Sequence, residues 1–182
     1  TVTPSYAGLN YERLEKKSIQ WPCPSVDHDG TCYLHEDRFA RGKGLFSPVE
    51  YRAPAEETDD LYPFILSTGR NIYHYHTGTM TRRSKGLRKH KTEELAQISP
   101  QDAEELGIKS GDIVEVSSRR GKITTKVDIT DKVTPGLVFM TFHFKESAVN
   151  LLTNDSLDPI AGIPEFKVCA VNIKKATKAS AC

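Results

Sequence analysis

Residues 112–129 read DIVEVSSRRGKITTKVDI, and this stretch decides the fold. In its first part Val114 and Val116 lie two positions apart, so an extended chain places both on one face. The turn RRG at residues 119–121 leads into a second run, residues 123–129, that again carries apolar side chains on one face. Two alternating runs joined by a short glycine-containing turn predict a β-hairpin with one buried face.

Four further segments read as short strands. An apolar run, PFILST at residues 63–68, stops at Gly69 and is typical of a buried strand. The other three segments are LAQI at residues 95–98, LVFM at residues 137–140 and KVCAVNI at residues 167–173. Six short strands separated by many turns predict a small closed β-barrel with crossing connections.

One helix has clear boundaries in the sequence. In SPQD, residues 99–102, the serine can cap, the proline suits the first helical position and the aspartate lies three residues after the cap. Gly107 ends the helix. Shorter helices are predicted at residues 10–17 and 148–152, so the fold class is mainly β with short helices (α+β).

The composition changes near residue 60 and divides the chain. Residues 1–60 are predicted to form an irregular, extended arm that lies on another surface and has no core of its own. Residues 61–174 carry the strand signals and are predicted to form the barrel. Residues 175–182 are predicted to be a flexible tail.

The composition and the net charge exclude some functions. The chain has 182 residues, 37% of them hydrophobic, and a net charge of +1. A run of about 18 apolar residues, which a membrane span needs, is absent from the sequence. The basic run at residues 82–91 contains few aromatic residues, so it favours a solvated loop or a face for an acidic neighbour over a nucleic-acid site.

The four cysteines, Cys23, Cys32, Cys169 and Cys182, form no Cys-x-x-Cys pair. Their spacing therefore predicts neither a zinc ribbon nor an iron–sulfur site. Scattered cysteines in a chain of this length indicate free thiols of a cytoplasmic protein.

Residues 67–81, STGRNIYHYHTGTMT, form the densest polar segment and directly follow a predicted strand. Glycines let backbone N–H groups approach a ligand, and Arg70 can make a charge-assisted contact to an anion. These properties suit a large polar ligand with a pyrophosphate, although a glycine-rich surface loop has the same composition. The segment contains neither a Walker loop nor a dinucleotide fingerprint.

Four polar residues have both a functional and an ordinary interpretation. His74 and His76 lie two apart and could ligate a metal, but further ligands are not evident, so hydrogen bonding is the preferred interpretation. Asn150 could pair with a heterocycle edge, or be a polar turn residue. Lys167 could reach an anionic ligand from the start of the last strand, or be a solvated edge lysine.

Together these segments resemble the molybdopterin-dinucleotide-binding domain at the C-terminus of enzymes of the DMSO-reductase superfamily. Besides residues 66–82, four stretches match in order: ISPQDA (98–103), GDIVEVSSRRG (111–121), NLLTN (150–154) and PEFKVCAV (164–171). The arm is also similar, through QWPCP (20–24) and RFARGKG (38–44), to the stretch that precedes this domain in formate dehydrogenases and in periplasmic and assimilatory nitrate reductases. Residues 142–144 (FHF) and 151–155 (LLTND) favour formate dehydrogenase.

The resemblance implies a double-psi β-barrel that binds one of two molybdopterin guanine dinucleotides. It implies cofactor contacts from Thr68, Gly69, Arg70, Asn71, Ile72, Tyr73, His74, Tyr75, His76, Thr77, Asn150 and Lys167. Phe142 and His143 match positions near the metal pocket. The metal, Mo or W, has no ligand among these residues, and no catalytic residue is expected in this chain.

The resemblance also implies the setting of the domain. Iron–sulfur clusters are expected in a missing, upstream part of the chain. The domains of that part and an electron-transfer subunit are the expected partners. Neither nucleic acid nor a membrane is an expected partner. In the intact enzyme, formate would be oxidised to carbon dioxide with transfer of two electrons. Three alternatives remain open: the same domain of a nitrate reductase, a stand-alone nucleotide- or RNA-binding β-barrel, and a purely structural β-module.

Overall fold

The computed structural model describes residues 3–35, 38–39 and 41–176. The chain divides into two compact units, Thr1–Tyr51 and Arg52–Cys182. The prediction of an arm over residues 1–60 and a barrel over residues 61–174 stays a prediction.

The first unit is organised by polar contacts. Its helix α1 spans Tyr11–Lys16, where the sequence predicts one, and Asn10 caps it by accepting a hydrogen bond from the backbone N–H of Arg13 at 3.0 Å. The Arg13 guanidinium donates to the carbonyls of Gly8 and His28 at 2.5 and 2.7 Å. Cys23 is fully buried beside these groups.

The second unit contains the six predicted strands. They are β1 (Phe64–Gly69), β2 (Leu95–Ile98), β3 (Ile113–Ser117), β4 (Lys122–Ile129), β5 (Leu137–Thr141) and β6 (Cys169–Lys175). They close in the order β1-β5-β2-β4-β3-β6. The pairs β1–β5 and β2–β4 are parallel, and the other four pairs are antiparallel. The predicted double-psi β-barrel is confirmed.

The barrel interior is filled by the residues that the alternation predicts. Val114 and Val116 on β3 are fully buried, as are Leu66 on β1, Val138 on β5 and Ile173 on β6. Fully burying an aliphatic side chain of this size stabilises the fold by about 1.5–3 kcal/mol. The core therefore lies inside the closed barrel and leaves its rim available for polar segments.

The helix predicted after Ser99 is α3, Pro100–Leu106. The Ser99 hydroxyl accepts from the Asp102 N–H at 3.0 Å, and Gly107 ends the helix with φ +63°. The Asp102 carboxylate in turn accepts from the Gly136 N–H, at 3.1 and 3.0 Å. The cap therefore also joins α3 to the turn that leads into β5.

The predicted start of the last strand at Lys167 is wrong, because β6 begins at Cys169. Phe166 and Lys167 form a turn, in which the Phe166 carbonyl accepts from the N–H and hydroxyl of Thr68 at 3.3 and 2.7 Å. The strand runs through Lys175, one residue into the predicted tail. Residues 177–182 of that tail lie outside the described residues.

One short helical prediction is wrong, and one short helix lies where none was predicted. Residues 148–152 do not form an α-helix; the chain makes two 3-10 turns, Lys145–Ser147 and Val149–Leu151. The N–H of Leu152 bonds the carbonyl three residues back, which is the tighter 3-10 spacing. The basic run, interpreted from sequence as a loop or docking face, contains helix α2, Lys85–His90, all of it exposed.

Candidate functional site

One rim of the barrel brings most of the predicted site segments together. Strands β1 and β5 are parallel with Gly69 opposite Thr141, so the chain leaves both strands at the same rim. Strand β6 is antiparallel to β1 with Leu66 opposite Cys169, so the residues just before β6 also lie there. The topology therefore places the loop at residues 70–80 beside residues 142–144 and beside the 166–167 turn.

Lys167 and Thr68 are in direct contact. The Lys167 ammonium donates to the Thr68 carbonyl oxygen, while the Thr68 hydroxyl donates to the Phe166 carbonyl. An ammonium group has three N–H donors, so the Thr68 carbonyl occupies only one of them. The structure thus brings Lys167 to the start of the glycine-rich loop, and the cofactor contacts expected of both stay a prediction.

His143 holds the loop between Asn71 and His76. The backbone N–H of Asn71 donates to Nε2 of His143 at 2.9 Å, so Nε2 carries no proton. The proton is on Nδ1, which donates to the His76 carbonyl. Burial lowers the pKa of His143, the His76 carbonyl opposes this, and the nearby His74, Arg70 and His76 lower it further. The ring is buried and neutral, and it clamps the loop.

His74 stabilises the loop from within. Its side chain is 3% exposed; Nε2 donates to the Lys91 carbonyl at 2.8 Å, and Nδ1 therefore accepts from the Thr81 hydroxyl at 3.2 Å. Both ring nitrogens are occupied, so a ligand can reach His74 only through its backbone. His76 by contrast is exposed and adopts φ +52°, a left-handed conformation uncommon for residues with a side chain.

The loop presents donors that have no acceptor among the described residues. The side-chain oxygen of Asn71 accepts from the N–H groups of Tyr73 and His74 at 2.9 and 3.0 Å, but its buried Nδ2 has no partner there. The N–H groups of Ile72, His76 and Thr77 likewise donate to nothing in this part of the chain. A buried amide without a partner costs about 1–3 kcal/mol, so the arrangement fits a ligand that supplies acceptor atoms.

Arg70 and the two aromatic residues Tyr75 and Phe142 form one cluster. The Arg70 guanidinium lies 5.6 Å from the ring centre of Tyr75 and 5.6 Å from that of Phe142. The His76 ring meets Phe142 edge-on at 5.8 Å between ring centres. Phe142 and His143 are thus both neighbours of the predicted cofactor loop. Their place near the metal pocket stays a prediction.

Asn150 is not tied to these groups by any hydrogen bond within the described residues. It lies in the 3-10 turn Val149–Leu151 with an exposed side chain whose amide makes no hydrogen bond to that part of the chain. Its backbone carbonyl accepts from the Thr153 hydroxyl at 3.0 Å. The amide is therefore accessible, and its place in a shared site with the loop stays a prediction.

An ion-pair network that no sequence pattern indicates lies beside this turn. Glu56, which lies in the predicted arm, accepts two hydrogen bonds from Arg120, at 3.0 and 2.7 Å. Its partner lies 64 residues away in the chain, and local spacing cannot reveal such a pair. Arg120 also donates to the Leu152 carbonyl at 2.8 Å.

Three other observations concern metals, thiols and membranes. Within the described ranges, no group of three or more His, Cys, Asp or Glu residues is arranged to hold a metal ion. Cys23, Cys32 and Cys169 are free thiols, and Cys182 lies outside those ranges. The part of the chain that the structure describes contains no helix of the length and apolarity needed to cross a membrane.

Comparison with known proteins agrees with this geometry. Residues 64–170, more than half of the chain, match the family described as "Molydopterin dinucleotide binding domain". The chain is 53% identical over 176 residues to the F420-dependent formate dehydrogenase subunit alpha of Methanocaldococcus jannaschii, covering 96% of this chain and 26% of that protein. It is 38% identical over 174 residues to the assimilatory nitrate reductase catalytic subunit of Bacillus subtilis, covering 92% of this chain and 24% of that protein.

A solved structure supports the fold. Acetylene hydratase from Pelobacter acetylenicus superposes with a TM-score of 0.56 at 19% identity, over 63% of this chain and 18% of that one. The chain spans about a quarter of the length of the curated relatives that it matches. The ordered motifs, the barrel and the family match agree, and the chain belongs to the molybdopterin-dinucleotide-binding domain family.

Proposed function

We propose that this chain seats and orients a molybdopterin guanine dinucleotide, one of two, within a molybdenum or tungsten formate dehydrogenase. The observation that carries the proposal is the buried Nδ2 atom of Asn71, which has no partner among the described residues and lies in the loop that His143 clamps. A pterin nucleotide is rich in ring nitrogens and phosphate oxygens that accept hydrogen bonds. The donor set of the loop suits such a ligand.

Six of the predicted site residues then have a role that their surroundings permit. The N–H groups of Ile72, His76 and Thr77 donate to the ligand, and the exposed Arg70 guanidinium pairs with a phosphate. Asn150 pairs with a heterocycle edge, because an amide can donate and accept at once. Lys167 adds positive charge next to Thr68.

The chemistry belongs to the intact enzyme, of which this chain is one domain. The bound metal–pterin group supplies two-electron redox chemistry, with formate oxidised to carbon dioxide. The residues of this chain hold the group in place. We place the iron–sulfur clusters in the upstream domains, the electrons passing on to an electron-transfer subunit, and the enzyme in the cytoplasm.

Formate is favoured over nitrate as the substrate of the whole enzyme. The M. jannaschii relative named for formate is 53% identical to this chain, against 38% for the B. subtilis relative named for nitrate. The sequence FHF at residues 142–144 favours the same choice, and it lies against the loop. Formate turnover without nitrate turnover by the full-length enzyme is the expected result.

The test is the cofactor content of the full-length enzyme. Arg70→Ala and Asn150→Ala each remove one proposed ligand contact, so we expect less pterin and less metal per purified molecule. Arg83→Ala is the matched control, because Arg83 is also exposed but lies outside the proposed site. Normal pterin and metal content in both Arg70→Ala and Asn150→Ala would contradict the proposal.

The isolated 182-residue chain provides a second test. We expect it to show no formate oxidation, because neither a metal ligand nor a catalytic residue is assigned to it. Formate oxidation by the pure chain would refute the proposal that catalysis needs the rest of the enzyme. Tight binding of an oligonucleotide with steep salt dependence would instead support a nucleic-acid-binding barrel.

A further inference from the structure

The turn between β3 and β4 touches the segment that carries Asn150. Arg120, in this turn, donates from Nε and Nη2 to the carbonyl oxygen of Leu152 at 3.1 and 2.8 Å. Next to it, a Cβ atom at Gly121 would lie 3.3 Å from the carbonyl oxygen of Leu151. The turn therefore packs directly on the backbone of residues 151–152.

Arg120 is itself fixed by Glu56. The two carboxylate oxygens accept from two guanidinium nitrogens at 3.0 and 2.7 Å, which is a bidentate pair. The Glu56 side chain is only 10% exposed and also accepts from the Ala170 N–H at 3.1 Å. Burial raises the pKa of Glu56, but the hydrogen bonds from Arg120, Ala170 and Arg119 outweigh it and hold the pKa below its ordinary value.

The segment held by Arg120 is anchored on both sides of Asn150. Val149 is 1% exposed and Leu152 is fully buried, whereas Asn150 between them is exposed. The Leu152 N–H closes the 3-10 turn onto the Val149 carbonyl at 2.9 Å. The Leu152 carbonyl is held by Arg120, so the conformation that presents Asn150 outward depends on this guanidinium.

We infer that Arg120, braced by Glu56, is a positioning residue that fixes the turn presenting Asn150 to the pterin nucleotide. This inference rests on the proposed function. It assigns a role to a residue that itself makes no proposed contact with the ligand. Lysine cannot replace it, because a single ammonium cannot reproduce the planar fork that binds Glu56 and Leu152 together.

The experiment measures how fast the purified full-length holoenzyme loses its pterin, followed by the fluorescence of the released and oxidised pterin. We expect Arg120→Lys to accelerate the loss about tenfold, as for one impaired charge-assisted hydrogen bond. Arg119→Lys is the matched control. Arg119 binds the same carboxylate at 2.5 Å and makes no bond to the Leu152 carbonyl, so its release rate should stay close to wild type.

The double variant Arg120→Lys/Asn150→Ala separates positioning from general loosening of the fold. If Arg120 acts through Asn150, the double variant loses pterin no faster than Asn150→Ala alone. Additive acceleration in the double variant overturns the inference. So does an unchanged release rate in Arg120→Lys when Asn150→Ala releases pterin faster. If Asn150→Ala releases pterin at the wild-type rate, Asn150 does not hold the ligand. That part of the proposed function then fails, and the inference about Arg120 fails with it.

A second variant covers the case in which Arg120→Lys fails to fold. Glu56→Gln keeps the size of the side chain but removes the charge that braces Arg120. We expect a smaller acceleration of pterin loss that also disappears in the Asn150→Ala background. A release rate equal to wild type in folded Glu56→Gln overturns the bracing role.

Discussion

Asn71 and His143 are 72 residues apart in the sequence, yet the backbone N–H of Asn71 donates to Nε2 of His143 at 2.9 Å. The other ring nitrogen donates to the His76 carbonyl, so one buried imidazole holds both ends of a six-residue stretch. The bond from Asn71 requires the neutral ring, because protonation of Nε2 would replace the acceptor with a donor, whereas Nδ1 donates to the His76 carbonyl in either state. The shape of the loop is therefore coupled to the charge of His143.

This coupling predicts a pH-dependent stability. Burial lowers the pKa of His143 below its ordinary value of 6.5, and the nearby Arg70, His74 and His76 lower it further. The unfolded chain then binds more protons than the folded chain, so stability is lost as pH falls below about 6.5. Urea unfolding of wild type and His143→Gln should show a difference in the free energy of unfolding that shrinks between about pH 8 and about pH 5.5. A difference that stays constant over this range would contradict the proposed clamp.

The buried carboxyl of Glu94 predicts a pH dependence of stability with the opposite sign. Its carboxyl is 3% exposed and accepts from the N–H and hydroxyl of Thr141. Burial raises its pKa above the ordinary 4.5, in spite of the Thr141 bonds and the charge of Lys91. The folded chain then binds more protons than the unfolded chain, so stability falls as pH rises above about 4.5.

Replacing Glu94 by Gln keeps an acceptor for the Thr141 N–H and removes the titration. We expect the free energy of unfolding of Glu94→Gln, relative to wild type, to increase with pH above about 4.5. The control is Glu93→Gln, which removes only a half-exposed partner of Lys126. If the free energies of unfolding of Glu94→Gln and wild type change with pH in parallel, burial does not raise the pKa of this carboxyl.

The carboxylate of Asp102, in the first turn of α3 beside the Ser99 cap, provides a prediction on stability alone. The carboxylate accepts from the Gly136 N–H and from the Ser99 hydroxyl, and the residue is 5% exposed. Asp102→Ala leaves the Gly136 N–H without a partner, which should lower the free energy of unfolding by about 2–3 kcal/mol. Glu104→Ala on the exposed face of the same helix should change it by less than about 0.5 kcal/mol. Similar losses in both variants would assign the effect to the helix rather than to the cap.

Local patterns in the sequence were sufficient to predict the strands and the main helix of the barrel. The alternation around Val114 and the cap at Ser99 each depend on neighbours a few residues away, and both were predicted correctly. The prediction failed at Lys167, where the alternation continues but bonds to Thr68, 99 residues away in sequence, turn the backbone. Contacts such as Glu56 with Arg120 leave no local pattern at all.

Only part of the candidate site could be predicted from the sequence. Its polar loop could be recognised by composition and resemblance, and the parallel pairing of β1 with β5 explains why Phe142 lies next to it. The clamp by His143 could not be predicted, because a buried histidine bonded to backbone groups looks like any other histidine in sequence. Any residue type can make a contact through its backbone atoms, so such contacts leave no pattern in the sequence.

Gly69 tests whether a glycine of the loop serves packing or ligand approach. From sequence, this glycine lets the backbone approach a ligand, but in the structure an added Cβ would lie 2.5 Å from the Phe139 ring. Gly69→Ala should therefore lower the free energy of unfolding by about 1–3 kcal/mol through overpacking. Gly86→Ala, in α2 with no atom within 4 Å of the added Cβ, should raise it by about 0.5–1 kcal/mol.

The double variant Gly69→Ala/Phe139→Leu decides between the two roles. The shorter leucine makes room for the added methyl group, so part of the lost stability should return, which urea unfolding can measure. Because that methyl group points at residue 139, it should not obstruct the backbone atoms at position 69 that we propose to contact the ligand. The full-length double variant should therefore keep its pterin content. Recovered stability with lost pterin would instead mean that the ligand itself requires a glycine at position 69.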